Sequence, residues 1–209
     1  MDDKNTKSSV FTRKMVAGKI ELSRNDVIRI LGLIDEELEK EELSATALIY
    51  GGCALMLHGY DTRSTTDIDY VITNVPLADY SRVIDRVVER SNPPFKRSLF
   101  DITMGPLIAT HFKQNEMQEL NLFKNLNVAI ASPKQLLAMK LFSARLGNEF
   151  HDLQDSVYLA KLLNITKAID LKNVLLSYVQ DSSVDSANKN PRNPSAIDRF
   201  ILEVEKRLI

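Results

Sequence analysis

Apolar positions follow two different spacings along the chain, and these spacings predict its secondary structure. Short apolar runs containing β-branched or aromatic residues predict strands at residues 47–50, 67–72, 98–104, 119–123 and 127–130. Apolar residues instead recur at helical spacing over residues 27–38 and 77–88. Ser23 and Asp26 match a capping box before the first of these helices. Strands that alternate with helices indicate an α/β fold.

The second part of the chain shows helical spacing only. Ser132 followed by Pro133 is a strong helix start, because serine caps a first turn and proline suits the first helical position. Helices are predicted at 134–146, 150–159, 170–179 and 196–208, the last with Ser195 as its cap. The segment 181–195, rich in serine and asparagine and containing two prolines, is predicted to be a loop. We therefore expect an α/β domain over residues 20–131 and a helical domain over 132–209 that closes one side of a cleft.

Composition and charge are those of an ordinary soluble protein. Of the 209 residues, 44% are hydrophobic and 26% are charged, and the formal net charge is −1. That charge gives no overall attraction to nucleic acid, so an RNA contact would need a local basic patch. The single cysteine excludes an internal disulfide, and no apolar run approaches the ~20 residues of a membrane span. With no signal-peptide pattern at its start, we expect a cytoplasmic protein without a membrane partner.

The stretch 47–72 carries the candidate chemistry. It is predicted to form a strand, a glycine pair (Gly51 and Gly52), a short helix, a loop and a second strand that opens with two aspartates. Asp67 and Asp69 share one face of that strand because side chains alternate across it. Paired carboxylates suit a hard cation such as Mg²⁺, and a glycine turn lets phosphate approach the main chain. Together they are the parts needed to transfer a nucleotidyl or phosphoryl group.

The order Gly51-Gly52, helix, loop and Asp67-Ile68-Asp69 resembles the signature of the polymerase-β-like nucleotidyltransferase superfamily. The sequence before the aspartates, Arg63-Ser64-Thr65-Thr66, is most similar to small bacterial members, including the AbiEii-like toxin group. The resemblance implies a nucleotidyltransferase-type mixed sheet flanked by helices and followed by a C-terminal helical bundle. It also implies transfer of a nucleoside monophosphate from a nucleoside triphosphate to a hydroxyl acceptor.

The resemblance implies roles for the residues of this motif. Asp67 and Asp69 would be catalytic and would bind Mg²⁺ or Mn²⁺, while Gly51 and Gly52 would admit the phosphates. The other expected nucleotide-binding residues of this stretch are Arg63, Ser64 and Thr65. For Arg63 two interpretations stay open, contact with the triphosphate or an ion pair with Asp61 or Asp67.

The superfamily usually has a third carboxylate, which helps to deprotonate the attacking hydroxyl. Asp101 lies between Phe100 and Ile102, the hydrophobic setting in which that residue is expected. Glu119 is the second candidate. The alternative for Asp101 is an ordinary polar residue on a half-exposed strand.

A further resemblance to the AbiEii-like group lies around Lys140, in a mostly apolar helix, and Asp152 and Asp155 on the next helix. In that group the lysine is implied to hold nucleotide phosphates, and an aspartate belongs to the active site. A lysine on an apolar face needs an anion, which phosphate or an aspartate would supply. The alternative is a Lys–Asp bridge that only joins two helices. His151 stands where the group often has arginine or lysine, which leaves open which aspartate acts.

The resemblance suggests tRNA or a protein side chain as acceptor, in a toxin of a toxin–antitoxin pair with a cognate antitoxin. A hypothesis of another class is a catalytically silent nucleotidyltransferase fold that binds nucleotides or a protein partner. A DNA-binding helical half is disfavoured because its helices lack a basic recognition stripe.

Overall fold

The computed structural model describes residues 15–16, 19–61, 63–91, 95–101, 114–144 and 150–209. Over these residues the chain forms a mixed sheet with helices, followed by a group of helices. The predicted α/β fold class is thereby confirmed. The strands are β1 (Met15–Val16), β2 (Lys19–Ile20), β3 (Ala45–Ile49), β4 (Ile68–Thr73), β5 (Phe100–Asp101), β6 (Gln118–Leu120) and β7 (Leu126–Ile130).

The central strand β3 determines the geometry of the sheet. The strand order is β5-β4-β3-β7-β6, while β1 and β2 form a separate antiparallel pair. Strand β3 pairs antiparallel with β4 and parallel with β7, so Ile49 lies between Tyr70 and Ile130. Strand β5 is parallel to β4, and β6 is antiparallel to β7. The chain that leaves the end of β3 therefore lies beside the start of β4, where the aspartates are.

Among the described residues, the sheet-containing half has three α-helices. They are α1 (Arg24–Lys40), α2 (Gly51–Leu57) and α3 (Leu77–Arg90). The predicted capping box of Ser23 and Asp26 is present at the start of α1. The predicted apolar face of α1 is buried, at Val27, Ile30, Leu31, Ile34 and Leu38.

The C-terminal half contains five helices among its described residues. They are α4 (Pro133–Ser143), α5 (Phe150–Leu162), α6 (Ala168–Leu176), α7 (Asp181–Asn188) and α8 (Ala196–Lys206). The capping box of Ser132 and Gln135 starts α4, with proline at its first turn as predicted. Helix α8 buries its apolar stripe against α4, α5, α6 and α7. Among the described helices, none combines the length and the apolar character that a membrane crossing requires.

Two predictions for residues 181–195 are wrong, and contacts within the helical half explain both. Residues 181–188 form α7 although a loop was predicted, because Val184 is buried and Asn188 bonds to the start of α8. Ser195 does not cap α8 with its side chain; the Asn188 side-chain oxygen accepts the Ile197 N–H at 3.1 Å instead.

The strand predicted at 98–104 is shorter in the structure. Residues 97–99 form a 3₁₀ turn and β5 follows, while 102–104 lie outside the described residues.

A polar contact joins α1 to the sheet. One Asp35 oxygen accepts the backbone N–H groups of Asn125 and Leu126, at 2.6 and 2.8 Å, where β7 begins. This carboxylate satisfies main-chain donors at a half-buried strand start, so its loss would leave them without their acceptor. The division into domains at residues 131 and 132 stays a prediction.

We expect Asp35→Ala to lower the free energy of unfolding by about 2 kcal/mol, because it removes two hydrogen bonds to a charged group. Urea unfolding followed by circular dichroism measures this change. The matched control is Glu39→Ala, one turn later on α1, which removes only an exposed ion pair with Lys124 and should change the stability far less. Equal losses for the two variants would contradict the role given to Asp35.

Candidate active site

The turn between β3 and α2 comes into direct contact with β4. Gly51 has a φ of +65°, a backbone conformation that residues with a side chain rarely adopt. A Cβ at Gly51 would overlap the Asp69 carboxylate, whose Cγ would lie only 3.0 Å from it. The main chains are also joined, since Tyr50 N–H donates to the Asp69 carbonyl at 3.1 Å. Gly51 is therefore required both by its backbone conformation and by the Asp69 side chain beside it.

Gly52 is similarly crowded by the loop that precedes β4. A Cβ there would lie 3.0 Å from the Thr65 hydroxyl and 3.2 Å from the Thr65 Cβ. The same Thr65 hydroxyl lies 3.0 Å from an Asp67 carboxylate oxygen, to which it donates. The glycine pair thus lets the loop bring both aspartates close to the start of α2.

Strand alternation separates the two aspartates from the core. Ile68 and Tyr70 are 1% and 3% exposed and belong to the core, whereas Asp67 and Asp69 are half-buried and line a cavity. Strand β4 begins at Ile68, one residue later than predicted, so Asp67 is the last loop residue before it. The geometric expectation of two carboxylates on one side of this segment agrees with the structure.

The cavity that these carboxylates line has a volume of about 310 Å³. Gly52 and the loop residues Ser64, Thr65 and Thr66 form part of its wall. Its ionisable lining residues are Arg63, Lys140 and His151, together with the acidic Glu21, Asp67, Asp69 and Asp152. Lys140, His151 and Asp152 come from α4 and α5, so the helical half completes the cavity.

Lys140 is held between two aspartates of α5. Its Nζ lies 2.6 Å from Asp152 Oδ1 and 2.9 Å from Asp155 Oδ2. The other Asp152 oxygen accepts the Ser143 hydroxyl at 2.7 Å. Burial alone lowers the pKa of Lys140, but the charges of Asp155 and Asp152 outweigh it and raise that pKa above its usual value. The lysine therefore stays an ammonium ion, and the Lys–Asp bridge between helices is present.

Asp155 has a second cationic partner in the other half of the chain. Arg63 Nε lies 3.2 Å from Asp155 Oδ1, and the Asp155 side chain is only 1% exposed. The structure thus pairs Arg63 with Asp155 instead of Asp61 or Asp67. Asp152 lines the cavity, whereas Asp155 is fully buried and is not among the described residues that line it, so the two aspartates have different surroundings.

The two candidates for the third carboxylate lie at opposite edges of the sheet. Asp101 is in backbone register with Asp69 through the pairing of β5 with β4, but its side chain lies outside the described residues. Its catalytic role stays a prediction. Glu119 is exposed on β6, at the far edge from β4, and it is not among the described residues that line the cavity. Its position does not suit the role of second candidate.

The two carboxylates suit a hard divalent ion whose remaining ligands come from a substrate and water. Among the described residues, no group of three or more histidine, cysteine, aspartate or glutamate side chains is arranged to hold a metal ion. Asp67 and Asp69 offer carboxylate oxygens on one wall of the cavity. Mg²⁺ is commonly bound by one or two carboxylates together with phosphate and water, and these two side chains fit that pattern.

Two features of the cavity were not predicted from the sequence. Glu21 lies on its wall because Leu22 and Thr65 form a bridge, with Leu22 N–H donating to the Thr65 carbonyl at 2.7 Å. Cys53 supports the motif from the core, where its thiol lies 3.3 Å from the Asp67 carbonyl. Burial, together with the charges of Asp69 and Asp67, raises the pKa of that thiol, so it stays protonated.

The comparisons with known proteins concern family and fold. No curated protein matches the sequence. A crystal structure of an antigenic nucleotidyltransferase-like protein from Paracoccidioides brasiliensis is similar, with 20% identity and a TM-score of 0.46. That match covers 80% of this chain and 94% of the other. A family model matches residues 27–193, which include the glycine pair, Asp67, Asp69, Lys140 and α5. The chain belongs to the family described as nucleotidyltransferase of unknown function (DUF6036).

Proposed function

We propose that the protein is a metal-dependent nucleotidyltransferase that moves a nucleoside monophosphate from a nucleoside triphosphate to a hydroxyl acceptor. The observation that carries this proposal is the contact between the Gly51 turn and the Asp69 carboxylate in a cavity that Asp67 and Lys140 also line. A site for phosphate and a pair of metal-binding carboxylates are then adjacent, which nucleotidyl transfer requires.

In this proposal the residues of the cavity have separate roles. Asp67 and Asp69 would bind Mg²⁺ or Mn²⁺, which would supply charge neutralisation at the reacting phosphate. Gly52, which lines the cavity, would let phosphate oxygens approach its main chain, while Gly51 makes room for the Asp69 carboxylate. Lys140 and Arg63 would offset the remaining negative charge, and Asp155 would hold these two cations in place.

The reaction would exchange one phosphorus–oxygen bond for another at the α-phosphorus. The acceptor oxygen would attack the α-phosphorus, the α–β phosphoanhydride bond would break, and pyrophosphate would leave. The hydroxyl proton would go to a carboxylate, for which Asp152 on the cavity wall and Asp101 are the candidates.

The acceptor is proposed from the AbiEii-like resemblance of the sequence. That resemblance favours a tRNA end or a protein side chain and a toxin whose activity a cognate antitoxin restrains. Both acceptor classes therefore belong in the assay. The silent-module alternative is tested in the same assay, because it predicts nucleotide binding without transfer.

We expect the double variant Asp67→Asn, Asp69→Asn to lose transfer by about 100-fold or more, since its amides no longer neutralise a divalent ion. The assay incubates the protein with Mg²⁺, each labelled triphosphate, and tRNA or a cell-extract protein fraction. The matched control is Asp61→Asn, an exposed aspartate near the same loop, which should keep wild-type activity.

Two results would contradict the proposal. Transfer that survives the double substitution would exclude this site. A wild-type protein that binds triphosphate, shown by calorimetry, yet labels no tRNA or protein acceptor would favour the silent module.

Gly51→Ala should abolish most of the transfer, because its methyl group overlaps the Asp69 carboxylate and displaces it. A displacement of about 1 Å at a catalytic group can cost about 100-fold in rate. Gly59→Ala is the control for backbone strain alone, since Gly59 has a φ of +93° and open space around a Cβ. Both variants should lose about 1 to 2 kcal/mol of stability from that strain, measured by urea unfolding. Equal transfer rates for the two would contradict the role of the Gly51–Asp69 contact.

A further inference from the structure

Glu21 is an acidic residue of the cavity that does not belong to the glycine–aspartate motif. It precedes Leu22, whose main chain pairs with Thr65 through two hydrogen bonds of 2.7 and 3.3 Å. This bridge fixes the segment against the loop before β4. Glu21 and Thr66, the neighbours of the paired residues, both line the cavity.

The Glu21 carboxylate has no partner among the residues that the structure describes. The cations Arg63 and Lys140 are taken by Asp155 and Asp152. Glu21 also does not complete a three-residue metal site with Asp67 and Asp69 in the described part of the chain. It is half-buried and lines the cavity, so its carboxylate is available to a ligand bound there.

The chemistry of a carboxylate restricts what that ligand group can be. An ionised carboxylate only accepts hydrogen bonds, and it repels phosphate. In a nucleoside triphosphate the hydrogen-bond donors are the ribose hydroxyls and the amino or imino groups of some bases. A volume of about 310 Å³ is at the small end of ligand pockets, so it favours the triphosphate and the attached sugar over the base.

We propose that Glu21 is a specificity-determining residue that accepts a hydrogen bond from the ribose hydroxyls of the nucleotide. Glu21 then selects ribonucleotides over deoxyribonucleotides. The inference rests on the proposed function, because it takes this cavity as the nucleotide site. Glu21 is not one of the two proposed metal-binding residues, so its role can be tested separately from theirs.

The experiment compares wild type, Glu21→Ala and Glu21→Gln in the full chain. Calorimetry with Mg²⁺ measures dissociation constants for each nucleoside triphosphate and for its 2′-deoxy and 3′-deoxy forms. Transfer assays with the same nucleotides give kcat and KM. Glu89→Ala, an exposed glutamate on α3, is the control for loss of one negative charge. Thermal unfolding verifies that each variant is folded.

Wild type should bind the ribonucleotide about tenfold more tightly than one of its deoxy forms, the effect of a hydrogen bond to a charged group. Glu21→Ala should reduce that ratio to near one. In the transfer assay this variant should raise the KM for the ribonucleotide and change kcat little. Glu21→Gln should retain part of the ratio, because its amide oxygen still accepts a hydrogen bond. Glu89→Ala should keep the wild-type ratio.

Three results would overturn the inference: equal binding of ribo- and deoxyribonucleotides by wild type, a ratio that Glu21→Ala leaves unchanged, or a change confined to base preference or to the KM of the acceptor. Wild type that shows the sugar preference in binding but transfers no label would contradict the proposed function and still support the role of Glu21. Wild type that binds no nucleotide would contradict both.

Discussion

The buried carboxylate of Asp155 is the interaction on which the candidate site depends. Its two oxygens face Arg63 from the loop before β4 and Lys140 from α4, while Asp155 itself belongs to α5. A buried carboxylate is costly unless cations compensate it, so each of the three side chains constrains the positions of the other two. Near this network, Tyr60 and Tyr158 stack with ring centroids 3.9 Å apart, which joins the same loop to the same helix.

This network explains why the cavity has walls from both halves of the chain. Strand β4 and its preceding loop provide the acidic side, and α4 and α5 provide Lys140, His151 and Asp152. The net effect of Asp155 and Asp152 is to raise the pKa of Lys140, so the lysine keeps its positive charge in spite of burial. This charged lysine lines the same cavity as the proposed metal-binding carboxylates.

Features that depend on neighbouring residues were predictable from the sequence. The capping boxes at Ser23 and Ser132, and the common side of Asp67 and Asp69, follow from local spacing. The fold class followed from the alternation of strands and helices, and the nucleotidyltransferase resemblance followed from the stretch 47–72 and the residues around Lys140.

Features that depend on distant pairing were not predictable. The partner of Arg63 is decided by how α5 packs against the loop, and Glu21 enters the cavity only through the Leu22–Thr65 bridge. Helix α7 forms in a segment of loop-like composition because Val184 and Asn188 contact the rest of the helical half. In each case tertiary contacts outweigh what the local residues favour on their own.

A crystal structure with Mg²⁺ and a non-hydrolysable nucleoside triphosphate tests the central claim most directly. We predict a metal ion bound by the carboxylates of Asp67 and Asp69, with phosphates next to the Gly51–Gly52 turn and the Lys140 ammonium. A triphosphate bound elsewhere on the protein, with these two carboxylates not in contact with a metal ion, would contradict it.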